Sequence, residues 1–588
     1  MDQIDPPDWW AGLPSPMLLL HGVHLRDVRL GVQGNGVTLA KAQVSANGHY
    51  AFLWLQTDKA GPQQLRVLLS DGTTNLALPF TLAARTPAKN AGFSSADAMY
   101  LIFTDRFADG DTSNDGWPSD PFSQVDRANP TAWHGGDYRG IIEHEDYLQQ
   151  LGVDTIWITP AYENAHEPHA YHGYDATDMY AVDPHFGTLE DYRNLSDTLH
   201  ARGMKLVLDL VPNHVGAAHI WANDPPTPSW FHGTPAEHLR AQSNFKTIVD
   251  PQEGSSAAVT EGWFANSKPD LNQDDPLVSQ YLIQNAIWWI EKGGLDGFRL
   301  DTFPYVQRTF WHDFHKTIHE LYPHFTTVGE IFNHDPEITS FFAGGAAHRG
   351  VDTGLDTPFD FPMFTTLRNT LIKGAPMSDI SALLKEDKLY PHPERLVPFL
   401  GNHDTGRFLS EPGATIDELK MGYALLVTMR GMPELYAGDE IAMRGGKDPD
   451  NRHDFPGGFP GDAQDAFTLT RRTAEQQDMY ATVSSLLHFR AEHPAILHGG
   501  LSVVSADKDT LVYLRAANPN TGCASGDERL LIVANRSNAP TTIGVPLTSA
   551  LRGCTSFKAD LGEGSSVVTA DRVTLHVPAM TVGVFTVR

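Results

Sequence analysis

Four separated segments of this 588-residue chain place an acid, a guanidinium or an imidazole at the end of a short apolar run. The run 205–208 leads through Asp209-Leu-Val-Pro to Asn213 and His214, and the run 297–300 contains Arg299 and ends at Asp301. The run 326–328 passes Gly329 to reach Glu330, and the run 397–400 leads to His403 and Asp404. A polar residue making a local hydrogen bond at a strand end would account for any one of these. Four of them, delivered by four strands to one face, point to shared chemistry. Cleaving a glycosidic bond with retention takes a carboxylate nucleophile and a carboxylic acid about 5 Å apart. Arg299 lies two residues before Asp301 and so points to the same side of its strand, where a guanidinium keeps a carboxylate ionised. Glu330, less directly paired with a cation, holds a proton near neutral pH if it is desolvated.

The elements that must carry these residues follow from the apolar pattern. Between about 98 and 500, compact runs at 99–103, 155–158, 205–208, 297–300, 326–328, 397–400 and 432–436, with one more near 352–360, alternate with longer helical stretches. Short buried strands separated by helices predict βα units in a parallel sheet, and eight of them predict a (β/α)8 TIM barrel with its chemistry at the C-terminal strand ends. An insertion at 214–276, rich in Pro, Gly, Trp and Phe, follows the third strand and is too long for a simple loop. Runs at 17–20, 51–55 and 64–69 predict an N-terminal β-sandwich over 1–92, joined by a polar linker at 85–95. Runs at 501–504, 511–514, 530–533 and 582–587 predict a C-terminal antiparallel β domain over 501–588. The barrel then occupies 93–500.

Composition bounds the partners. The 72 acidic side chains outnumber 43 basic ones, for a formal charge of −29. Such a surface repels nucleic acid and anionic lipid and suits a neutral substrate or a cation. No apolar run reaches the 18 residues of a membrane span. The opening MDQIDPPDWW has neither the basic nor the apolar region of a signal peptide, which leaves cytoplasmic residence and the loss of a preceding leader both open. The two cysteines, Cys523 and Cys554, have no Cys/His spacing around them that suits zinc. One disulfide or two buried thiols are equally compatible with them.

Taken in order, Asp209-Leu-Val-Pro-Asn-His214, Lys268-Pro-Asp-Leu-Asn272, Gly297-Phe-Arg-Leu-Asp301, Gly329-Glu330 and Asn402-His-Asp404 resemble the motifs of the α-amylase superfamily, glycoside hydrolase family 13. Tyr171-His-Gly-Tyr-Asp175 and the stretch from Gly431 to Glu440 resemble further parts of that barrel. The resemblance implies Asp301 as nucleophile, Glu330 as general acid/base and Asp404 as a ligand of the distorted sugar's hydroxyls. It implies that Arg299 orients Asp301, that His214 and His403 hydrogen-bond the same sugar, and that Tyr174 stacks on its apolar face.

A second candidate site follows the first strand. Asp109, Asp111, Asn114 and Asp115 lie within seven residues around a glycine turn. Hard oxygen donors so spaced suit Ca²⁺, although a solvated acidic turn has the same composition. The run resembles the calcium loop of cyclomaltodextrinases and neopullulanases, and that likeness adds Gly135 and Asp137 as ligands in a structural role. The opening Pro6-Pro-Asp-Trp-Trp-Ala-Gly12 and the run Asp448 to Asp462 resemble the same subgroup, which implies cyclodextrins and short maltodextrins as substrates and admits a homodimer. Thr302-Phe-Pro-Tyr305 departs from the family's common pairs at this place, so α-1,6 or mixed-linkage hydrolysis and glucosyl transfer stay open. Trp230, Phe231, Trp263 and Phe264 offer sugar platforms, with burial inside the insertion the expected role for most. The alternative from another class, a silent sugar-binding protein, sits poorly with three intact carboxylates.

Overall fold

The computed structural model describes residues 2–86, 90–117, 122–164, 169–523 and 526–588, so part of the expected linker, 87–89, lies outside the described residues. Seven short buried strands form the central sheet: β1 (Met99–Ile102), β2 (Thr155–Ile158), β3 (Lys205–Leu210), β4 (Gly297–Leu300), β5 (Thr326–Gly329), β6 (Thr357–Pro358) and β7 (Glu434–Tyr436). Their order is β6-β5-β4-β3-β2-β1-β7, with every neighbouring pair parallel. Phe359 pairs with Val397 and Phe399 pairs with Glu434, both in parallel sense, so residues 397–399 close the sheet between β6 and β7. This is the expected (β/α)8 barrel. The expected strand at 397–400 is reduced to single pairings on either side of Pro398, because proline brings no N–H to a ladder. β6 is held to two residues and likewise ends at a proline.

The helix α1 (Pro276–Gly293) shows how local sequence sets an element. Asp275 accepts a hydrogen bond from the Leu277 amide, Pro276 occupies the first turn, and Gly294 at φ 65° ends the helix in the left-handed region. Its buried face carries Tyr281, Gln284, Trp288 and Trp289. A second helix, α2 (Arg308–Leu321), runs between β4 and β5 and buries Phe310, Trp311 and Phe314.

The insertion after β3 is a small unit of short helices and one pair of two-residue strands, Leu239–Arg240 alongside Gly262–Trp263. Trp230, Phe231 and Trp263 are 0%, 8% and 4% exposed, and Trp230 packs edge-on against Trp221 at 5.1 Å. Those three aromatics belong to its core, and of the four expected platforms Phe264 alone turns to the cleft. One feature was not expected. Tyr162–Asn164 pairs antiparallel with Ala176–Val182 after β2, and the loop between them carries Tyr174.

Both flanks are β structures. Two four-stranded sheets precede the barrel, and a five-stranded and a three-stranded sheet follow it. In the last of these regions Cys523 and Cys554 form a disulfide, with Cα atoms 5.1 Å apart. The N-terminal sheets dock on α1 through polar groups. Gln284 accepts from the Met17 amide at 2.8 Å and donates to its carbonyl at 2.9 Å, while the Tyr281 hydroxyl donates to Asp5 at 2.9 Å and the Trp288 indole to Asp8 at 2.9 Å.

Candidate active site

The C-terminal ends of the barrel strands open into a cleft of about 430 Å³, whose wall includes Tyr174, His214, Asp301, Glu330 and Asp404. Asp301 directly follows β4 and Glu330 directly follows β5, so adjacent parallel strands deliver the two carboxyls side by side. Arg299, one pleat before Asp301, is almost wholly buried and lies behind them. Its Nη1 donates to Asp301 Oδ1 at 2.6 Å and to Asp209 Oδ1 at 2.9 Å, and its Nη2 lies 3.0 Å from Glu330 Oε2. The sequence pairs Glu330 with a cation less directly than Asp301. Arg299 instead bridges both carboxyls, because the parallel register sets Arg299 beside Val328, two residues before Glu330.

The charges separate the three acids. Burial pushes the Glu330 carboxyl up to about 8 against the pull of Arg299, with the negative charges of Asp301 and Asp404 adding to the rise. Glu330 therefore carries a proton at neutral pH. Burial also raises Asp301, and Arg299, by charge and by hydrogen bond, opposes it. Asp404 is held below the ordinary carboxylate range: burial works upward, but His403, Arg452 and Arg299 outweigh it. His403 itself is pushed down to about 3 by burial and is neutral at pH 7, so the cations acting on Asp404 there are the two arginines. Glu330 Oε2 takes donors from Arg299 and from the Thr302 amide at 2.9 Å. Among the described residues no protein donor reaches Oε1, which leaves that oxygen to hold the proton.

The remaining expected residues fall around this centre. The Tyr174 hydroxyl is 2.8 Å from Asp209 Oδ2 and 2.8 Å from His403 Nε2, and its ring lies parallel to that of His403. His403 is fully buried behind the wall, so Tyr174 and Asp404 stand between it and the cleft. His214 lies parallel to Phe264 at 5.7 Å, and its Nε2 contacts the Tyr174 carbonyl at 3.2 Å.

Several cleft residues escaped the sequence reading. Arg452 is 3.2 Å from Asp404 Oδ1 and 3.0 Å from Asp448, and it also donates to the His403 carbonyl at 3.0 Å. His172, Phe245 and Phe332 also line the cleft, beside Tyr305 of the expected Thr302–Tyr305 stretch, which packs edge-on against both Phe245 and Phe264. The signal for Arg452 was the run from Asp448 to Asp462, read only as a mark of kinship.

The loop after β1 offers oxygen donors. Asp109, Asn114 and Asp115 each bury an Oδ1 with no hydrogen-bond partner among the described residues. Burial, and then the charges of neighbouring aspartates, push Asp109 up to about 7 and Asp115 up to about 6. Gly135, at φ 96°, passes so close that a Cβ there would sit 2.5 Å from Asp115 Oδ1. The other two expected side chains are engaged. Asp111 pairs with Arg139 at 2.7 Å, and Asp137 takes the amides of Gly110, Asp111 and Gly140. Among the described residues no three acid, histidine or cysteine side chains gather as a metal-ligand group. The unpartnered oxygens nonetheless fit a hard cation, which Asp109, Asn114 and Asp115 would hold.

The family of the α-amylase catalytic domain matches residues 101–490, and that of the cyclomaltodextrinase N-terminal domain matches residues 3–86. The chain belongs to the α-amylase family. This family member is 30% identical over 462 residues to a β/α-amylase of Paenibacillus polymyxa, covering 76% of this chain but only 34% of that longer protein. It is 28% identical to a cyclomaltodextrinase of Geobacillus thermopakistaniensis, over 76% of this chain and 70% of that one. An α-amylase structure from Geobacillus thermoleovorans, complexed with acarbose, superposes with a TM-score of 0.68 at 28% identity, over 84% of this chain and 98% of the other. The protein is thus an α-amylase-family glycoside hydrolase that is similar to cyclomaltodextrinases and, at 29% identity, to neopullulanase 2 of Thermoactinomyces vulgaris, over 71% of this chain and 66% of that one.

Proposed function

We propose that this hydrolase cleaves α-1,4-glucosidic bonds in cyclodextrins and short maltodextrins with retention of configuration. The observation that carries the reading is the single guanidinium, Arg299, touching both Asp301 and Glu330 on one cleft wall with Asp404 beside them. Glu330 donates the proton on Oε1 to the glycosidic oxygen as the bond to the anomeric carbon breaks, while an Asp301 oxygen forms a covalent bond to that carbon. Glu330, now ionised, removes a proton from water; the water oxygen attacks the anomeric carbon and Asp301 leaves as carboxylate. Asp404, ionised and fixed by Arg452, accepts hydrogen bonds from the ring hydroxyls, and Tyr174 supplies an apolar face. The rim of Phe245, Phe264, Tyr305 and Phe332 suits the apolar faces of a curved glucan.

The same reading divides the chain into an N-terminal unit at 1–92, a barrel at 93–500 and a C-terminal unit at 501–588. It also places a structural Ca²⁺ in the loop of Asp109, Asn114 and Asp115, with Asp111, Gly135 and Asp137 shaping the loop, and it admits a homodimer. Incubation with β-cyclodextrin, maltotriose, pullulan and isomaltose, with products resolved by mass and the first anomer followed by NMR, tests it. Maltose and glucose from β-cyclodextrin, released as the α-anomer, are expected. Preferential cleavage of isomaltose would move the assignment to α-1,6 bonds, and a β-anomer would remove the covalent step.

A further inference from the structure

The residue after Asp301 has a backbone its type disfavours. Thr302 lies at φ 45° and ψ 40°, in the left-handed region, where a β-branched side chain is rare. Such a conformation persists only where its surroundings over-determine it, and here they do. The Phe303 amide donates to the Glu330 carbonyl at 3.2 Å and the Tyr305 amide to the Thr302 carbonyl at 2.9 Å. The buried Phe303 ring stacks on Trp311 at 4.4 Å, and the Trp311 indole donates to the Phe303 carbonyl at 2.9 Å.

That turn aims two donors in two directions. The Thr302 amide donates to Glu330 Oε2 at 2.9 Å, and the Thr302 hydroxyl donates to Asp301 Oδ2 at 3.1 Å. Asp301 then has one donor on each oxygen, Arg299 on Oδ1 and Thr302 on Oδ2. We propose that Thr302 is a positioning residue that holds both reacting carboxyls from one strained turn, its hydroxyl fixing the nucleophile and its amide fixing the acid. Glycine would adopt this backbone without strain but brings no hydroxyl, and serine brings the hydroxyl without the second branch. The strain is therefore explained by the two bonds it permits. Both donations favour the ionised form of the carboxyl they reach, opposing the effect of burial.

The inference rests on reading Asp301 as nucleophile and Glu330 as acid, so its test must fail separately. The full chain is assayed on maltotriose and on α-maltosyl fluoride, whose leaving group needs no proton, as wild type, Thr302→Val, Thr302→Ser and Asp301→Asn. Thr302→Val keeps the side-chain shape and loses the hydroxyl. It is expected to lower kcat about tenfold or more on both substrates and to move the acidic limb of kcat/KM upward by about one pH unit, since Asp301 becomes harder to ionise. Thr302→Ser restores both to within about twofold. A turn residue with a purely structural role would alter thermal stability and leave the limb in place. If the valine variant does not fold, Thr302→Ala takes its place. Wild-type kcat and limb in that variant, or serine no better than valine, would overturn the proposal. Activity surviving in Asp301→Asn would instead overturn the assignment beneath it.

Discussion

Glu330 holds its proton because it is buried, and it stays in place because Arg299 and the Thr302 amide share one of its oxygens. With a carboxyl at about 8, the acid form dominates the free enzyme through neutral pH and is lost as pH rises through that value. The expected profile of kcat/KM on maltotriose is a plateau that falls tenfold per pH unit above about pH 8. Glu330→Gln cannot titrate, so the alkaline limb should vanish and the rate drop by roughly 10²–10⁴. A limb that persists in that variant would belong to another group. The three acids were legible in the sequence because each ends an apolar run, a purely local signal. Arg452 was not, because it meets Asp404 across 48 positions and sits in a stretch after β7, 442–452, that has no helix or strand to give it a periodicity. The bridging of Glu330 by Arg299 needed the register between β4 and β5, which no single run contains.

At the scale of elements, the loop after β1 stands out because Asp109, Asn114 and Asp115 each bury an Oδ1 that meets no donor among the described residues. Three Oδ1 atoms with no partner among the described residues cost the fold unless a cation joins them. Bound Ca²⁺ would stabilise the native state by about 2.7 kcal/mol at a hundredfold excess over its dissociation constant. Chelation with EDTA is accordingly expected to lower the thermal midpoint by a few degrees, added Ca²⁺ to restore it and Mg²⁺ to restore it less. In Asp109→Ala the chelator should have no further effect. An unchanged midpoint on chelation of the wild type would mark the loop as a metal-free acidic turn. Most strands were readable as apolar runs, and the reduction at 397–399 follows from Pro398, visible in the sequence but underweighted against its neighbours. The Tyr162–Asn164 hairpin was missed because one of its strands has three residues and its pairing shifts register twice, which erases alternation. The disulfide required the distance between Cys523 and Cys554, and spacing alone left thiols equally open.

Across the whole molecule, the N-terminal sheets and the barrel meet at polar groups that no amphipathic pattern reveals. The sandwich itself was legible from alternation, but a buried glutamine on α1 reads in isolation as a surface residue. Asp5 lies at this seam, where the Tyr281 hydroxyl and the Gln3 amide donate to its two oxygens and the same Gln3 amide also reaches Asp178. Burial first, and the charge of Asp178 next, push the Asp5 carboxyl from 3.8 up to about 8 against those donors. A carboxyl raised on folding takes up a proton as the chain folds, so its favourable share of stability is complete below about 3.8 and drains away as pH climbs toward 8. The seam is then tightest in acid and loosens on the alkaline side. Replacing Asp5 by Asn removes the titration while keeping one acceptor for Tyr281 or Gln3. Relative to wild type, Asp5→Asn should gain roughly 2–4 kcal/mol of stability between pH 5 and pH 8, whatever its stability at pH 5. Urea midpoints of both proteins at pH 5, 6.5 and 8 measure that tilt. Parallel declines would mean that the alkaline loss arises at other buried acids, of which Glu434, with both oxygens unpartnered among the described residues, is the next to replace.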